Sequence, residues 1–202
     1  MKNLITLFCI ICFYSAINTV VAQELPSNSD FDSPIYDRSE ELLTNTDTIP
    51  DFRSKTNKLK LTGTIYQADG TTPASNVILF IEQPNENGDF ELRNTGDERY
   101  VLHRSWVKTD ADGKYTIYTF VPGNDRRYNQ LQQIFPLVKE PSQPVYQLET
   151  FLFDEDPLLT KRCRKRIAKK SDTSRILTPK EEDGILVAQH DIVLNANTVA
   201  SK

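Results

Sequence analysis

From Lys58 onward apolar and polar positions alternate. In KLKLTGTIYQ (58–67) Leu59, Leu61 and Ile65 are separated by Lys and Thr, the period of a strand with one buried face. NVILFIE (76–82) is a nearly unbroken apolar run and predicts a more deeply buried strand. RYVLHRSWVKT (99–109), GKYTIYTFV (113–121), QIFPLVKE (133–140) and VYQLETFLFDED (145–156) are further strand candidates, and GILVAQHDIVLN (184–195) closes the pattern as one or two short strands. ADGTTPAS (68–75) reads as a turn, and QPNENGDFELRNTGDE (83–98) as a long polar loop. In DADG (110–113), Asp112–Gly113 suits a tight hairpin between its flanking strands. One helix is expected, in PLLTKRCRKRIAKK (157–170), with Asp156–Pro157 at its start. Many short strands and a single helix near 158–170 predict an all-β sandwich or barrel. The domain is expected over residues 58–196, enough to bury roughly two thirds of its unfolded surface.

The ends read differently. Met1–Lys2–Asn3, the apolar run LITLFCIICFYSA and then Val20 and Ala22 at small-residue positions have the form of a secretory signal peptide over 1–22, cut near Ala22. The apolar run is too short for a good spanning helix. The chain is expected to be exported to a periplasm or the extracellular space. Residues 23–57 are rich in Ser, Asn, Asp, Thr and Pro without period, and predict a flexible tether or an arm on the surface. Residues 197–202 form a short tail. With Cys9 and Cys12 in the signal, the exported chain keeps only Cys163 and forms no internal disulfide. Cys163 in KRCRKR reads as a surface cysteine; exposed, it would have a lowered pKa and be able to join two chains as a homodimer.

The formal net charge is −4, or −5 without Lys2. That argues against nucleic acid as a default partner. Against this background, KRCRKRIAKK (161–170) carries seven positive charges in ten residues. Its two readings are a solvated helix face and an anchor from Lys161 to Lys170 for an anionic surface or an acidic partner. The acidic stretches FDEDP and KEEDG lack the spaced oxygens of a calcium loop and read as helix cap or solvated turn. His103 and His190 are single histidines in alternating stretches, read as edge or core imidazoles. Trp106 reads as core. There is no phosphate loop or Gly-x-Ser-x-Gly, and the one Cys-x-x-Cys spacing, Cys9 to Cys12, lies in the expected signal peptide.

Three segments together, LTGTIYQADGTTPASNVILFIEQPNENGDF, RSWVKTDADGKYTIYTFVPG and FLFDEDPLLT, resemble the intradiol ring-cleavage dioxygenases, in particular small exported bacterial members of the Bacteroidetes type. The resemblance covers about residues 58–196 and implies a β-sandwich of the intradiol dioxygenase-like or transthyretin-like type. Active relatives hold ferric iron with two tyrosines and two histidines, a hard oxygen set with neutral imidazoles and positions left open for a catechol. Carried over by the family's spacing, the first tyrosine position falls after the Asn-Gly turn, on Phe90. The second, three residues after Pro122, falls on Asp125. The two histidines, eleven and thirteen residues after that proline, fall on Gln133 and Phe135 around Ile134. The family's proline shortly before that pair is absent, and Leu131 stands there.

All four ligand positions are thus substituted. Tyr128 is the nearest substitute ligand if its loop rearranges, and a set of Tyr100, His103 and Tyr128 has no spacing logic behind it. The resemblance then implies an exported, non-catalytic binding or scaffold module with no cofactor. The partner would be a protein, a glycan or an anionic surface. The first alternative is an active Fe(III)-dependent intradiol dioxygenase with displaced ligands, an oxidoreductase. The second is a carboxypeptidase-regulatory-like surface binding module. Phe90 and Phe135 are expected to fill the old site as a collapsed apolar patch, each worth about 1.5–3 kcal/mol on burial, with Gln133 needing a hydrogen-bond partner if buried.

Overall fold

The computed structural model describes residues 33–170 and 173–194. The expected signal peptide, residues 23–32 and the tail 197–202 lie outside the described residues. The strands are β1 (Thr46–Thr48), β2 (Lys58–Tyr66), β3 (Ile78–Glu82), β4 (Leu92–Thr95), β5 (Glu98–Val101), β6 (Arg104–Lys108), β7 (Lys114–Phe120), β8 (Gln133–Lys139), β9 (Tyr146–Gln147), β10 (Phe151–Phe153), β11 (Ile176–Leu177), β12 (Lys180–Glu182), β13 (Ile185–Gln189) and β14 (Ile192–Val193). One α-helix, α1, spans Lys161–Lys170.

The strands form an all-β sandwich. The first sheet runs β1-β7-β2-β13-β12, with β14 also on β2; the second runs β11-β10-β8-β3-β6, with β9 on β8. Alternation explains the core. Leu59, Leu61 and Ile65 of β2 and Tyr115 and Ile117 of β7 join Leu79 and Ile81 of β3, Ile134 and Val138 of β8, and Phe151 and Phe153 of β10 in one buried cluster. NVILFIE is buried on both faces, as its unbroken pattern predicts. Its other face, with Ile78 and Phe80, joins Trp106, Ile35 and Leu43 in a second cluster.

That second cluster corrects the flexible-segment reading of residues 23–57 in favour of its alternative, an arm on the surface. From residue 33 the segment is an ordered arm. Ile35 is buried against the outer face of the second sheet. The Trp106 indole Nε1 donates to the Pro34 carbonyl at 3.1 Å. The arm then pairs in parallel as β1 with β7, with Thr46 opposite Thr116. Its apolar residues are too few to show a period, yet Ile35, Leu43 and Ile49 are buried, while Leu42 stays exposed.

Three further expectations change. DADG turns as foreseen: the Asp110 carboxylate accepts from the N–H groups of Asp112 and Lys114 at 3.0 and 2.9 Å. It does not close a paired hairpin, because β6 pairs with β3 whereas β7 pairs with β1 and β2. The chain crosses between sheets there, and the arm runs beside β6, where the Lys108 N–H donates to Thr44 at 2.8 Å. The polar loop 83–98 contains β4 and the start of β5, a separate hairpin whose β4 residues are all exposed, so burial imposes no alternation. The stretch 99–109 is not one strand but the end of β5 and then β6, interrupted at Leu102–His103.

Candidate functional site

The carried-over positions lie on and beside the outer face of the second sheet. In β8 the burial pattern alternates, so Ile134 and Val138 enter the core while Gln133 and Phe135 stay half-buried on the other face. Phe135 stands opposite Glu82 of β3. Phe90, in the connection before β4, lays its ring on Phe135 with centroids 5.5 Å apart and an interplanar angle of 50°. The two rings meet, but Phe90 remains 37% exposed rather than buried, and the surroundings are not wholly apolar.

Next to it is an ion triad. The Asp125 side chain is only 7% exposed, and both of its oxygens are engaged by Arg127. Arg127 Nη2 donates to Oδ2 at 2.8 Å, Nε donates to Oδ1 at 3.1 Å, and the Arg127 backbone N–H reaches Oδ1 at 2.8 Å. The Arg127 hydrogen bond holds the Asp125 carboxyl below the ordinary carboxylate range. Arg127 Nη2 also donates to Asp89 Oδ1 at 3.2 Å, one residue before Phe90. The structure thus brings Phe90, Phe135 and Gln133 to one sheet face and links Asp125 to them through Arg127 and Asp89. The Tyr128 ring, 80% exposed, lies 5.7 Å from the Arg127 guanidinium carbon.

Two features hold these loops in place. Gly88 and Gly123 let the 85–89 and 122–125 backbones touch: a Cβ on Gly123 would lie 2.4 Å from the Glu86 carbonyl oxygen, and one on Gly88 2.7 Å from Asn124. Asp156 is the second. Read from FDEDP as a local cap or solvated turn, it is buried. It does cap Leu158 N–H at 2.9 Å, and it also accepts from Gln132 N–H at 2.7 Å and from Asn124 Nδ2 at 3.0 Å. An Asp before Pro signals the local bond; the two distant ones leave no mark in the sequence. KEEDG is exposed, as expected, but its first three residues are strand β12, and only Asp183 and Gly184 turn the chain into β13.

The donor set does not fit a ferric ion. Phe90 and Phe135 offer no lone pair, Gln133 offers an amide, and the Asp125 carboxylate is already neutralised by a guanidinium. His103 and His190 are both buried core imidazoles, packed edge-on against Phe120 and Phe151. Among the described residues no three His, Cys, Asp or Glu side chains are grouped for a metal.

No family model and no curated protein matches this chain. Solved structures do. One is the dioxygenase domain of a dioxygenase–carbohydrate-binding protein fusion from Streptomyces sp. SirexAA-E, 19% identical over 82% of this chain and 100% of that one, with a TM-score of 0.57. Another is catechol 1,2-dioxygenase from Acinetobacter radioresistens, 13% identical over 79% of this chain, TM-score 0.58; this chain spans 59% of its length. A third is an intradiol ring-cleavage dioxygenase from Tetranychus urticae, 16% identical over 76% of this chain and 87% of that one, TM-score 0.54. The sandwich is therefore an intradiol dioxygenase-like fold. At these identities the likeness is one of fold, and the chemistry rests on this chain's own side chains.

Proposed function

We propose that this chain is an exported, non-catalytic binding or scaffold module built on an intradiol dioxygenase-like sandwich. One observation carries the reading. Where the resemblance places iron ligands, two phenyl rings pack on each other and a buried carboxylate is closed by Arg127. Arg127 supplies the positive charge that a metal would otherwise supply to Asp125, so the pocket is electrostatically complete without one. The exposed Tyr128 gives no support to a displaced ligand set. The test is oxygen uptake on catechol and hydroxyquinol by purified protein supplied with ferric iron. The expected result is no uptake above the iron-only control and no visible tyrosinate-to-iron band. Turnover with ring-opened product would establish the dioxygenase alternative instead.

A further inference from the structure

The basic helix leaves a cleft at its side. Cys163, Arg164 and Ile167 of α1 are half-buried, while Lys161, Arg162, Lys165, Arg166, Lys169 and Lys170 are exposed. Arg164 is held in an ion pair by Asp154; the six exposed cations form no ion pair among the described residues. The helix contains no acid, so its like charges at i,i+3 and i,i+4 spacing weaken it. Local folding therefore does not account for the run. The whole chain carries −4, so the remainder carries −11 against +7 on this one helix.

Between α1 and the sheet lies a cleft of about 440 Å³, in the size range of small-molecule sites. Leu131, Leu152 and Ile167 give it an apolar floor, and Arg166, Lys170 and Arg175 stand around it. The Arg175 side chain is 15% exposed, its Nη1 donates to the Thr150 carbonyl at 2.8 Å, and its Nε, 3.3 Å from Glu149 Oε2, makes no hydrogen bond. Even counting Glu149, which also lines the cleft, the rim is net positive. Gln133, one of the substituted positions, borders the same space.

We infer that this cleft binds a single-chain anionic amphiphile, with the alkyl chain over Leu131, Leu152 and Ile167 and a phosphate or carboxylate head against Arg166, Lys170 and Arg175. Charge alone would serve a polyanion, but it would leave the apolar floor unused; the juxtaposition of floor and cationic rim fits a ligand with both parts. The inference deepens the reading of the domain as a binding module and rests on it.

The test is calorimetric titration of the purified protein with dodecyl phosphate below its micelle concentration. Inorganic phosphate, dodecyl maltoside, a thymidine oligonucleotide and phosphatidylglycerol vesicles are run in parallel. Saturable one-to-one binding of dodecyl phosphate is expected, tighter than that of any parallel probe. It should weaken at least about tenfold in Lys170→Glu and in Ile167→Asp, with circular dichroism unchanged. No binding, equal binding of phosphate, maltoside or oligonucleotide, binding of vesicles alone, or an unaltered affinity in well-folded Lys170→Glu would each overturn it. Oxygen uptake on the same samples separates the two readings. A turning-over protein that still binds dodecyl phosphate refutes the non-catalytic reading, and an inactive one that does not bind refutes the cleft.

Discussion

His103 is the least satisfied side chain of the described core. It is fully buried, and both ring nitrogens lack a hydrogen-bond partner. Its nearest acid oxygen is Glu91 Oε2, 4.0 Å from Nε2. Burial, with Lys55 adding to it, pushes its pKa below the ordinary value, against the pull of Glu91, Asp51 and Glu86. The unfolded chain therefore takes up the proton first as pH falls. The neutral ring's contribution is intact above about pH 6.5 and is lost as pH drops through the lower folded-state value. Urea midpoints compared for the protein and His103→Leu should diverge in the variant's favour as pH falls from 7.5 to 5. A constant gap would mean that His103 titrates alike in the folded and unfolded states.

At the scale of elements, the arm and the loop staple carry the clearest tests. If residues 33–57 were a loose tether, Ile35→Ala would change stability by less than about 0.5 kcal/mol. Packed as it is beside Phe80 and Trp106, Ile35 should cost about 2–4 kcal/mol when truncated, read by chemical denaturation. Asp156→Ala leaves the Gln132 and Leu158 N–H groups and the Asn124 amide without their acceptor. A loss of about 2–3 kcal/mol is expected, with amide exchange quickened at Gln132. The long strands were legible because burial on one or both faces writes a period into the sequence, as in β2 and β8; α1 buries no residue and was marked instead by Asp156–Pro157 ahead of it. The arm, β4 and the sheet crossing at DADG were not. Isolated apolar residues such as Ile35, an exposed hairpin and the choice of partner strand have no local signature. The site was half legible. The Asn-Gly turn placed Phe90, and counting from Pro122 placed Phe135, at ligand-equivalent positions, and their rings do meet. Arg127 closing Asp125, and Asp156 holding both loops, depend on distant backbone that no spacing reveals.

Over the whole molecule, a dioxygenase-like sandwich carries a ring pair, Phe90 on Phe135, and an internal ion pair, Asp125 with Arg127. Its basic helix α1 carries +7 against −11 on the rest of the chain. The fold alone does not decide metal binding; the residues on the outer face of the second sheet do.

The most direct measurement is iron per folded chain after dialysis against a ferric salt. It should be made on the unaltered protein and on a variant carrying Phe90→Tyr, Asp125→Tyr, Gln133→His and Phe135→His. The account predicts no retained iron in the former and uptake with a visible charge-transfer band in the latter; a full equivalent of tightly held iron in the unaltered protein would contradict it.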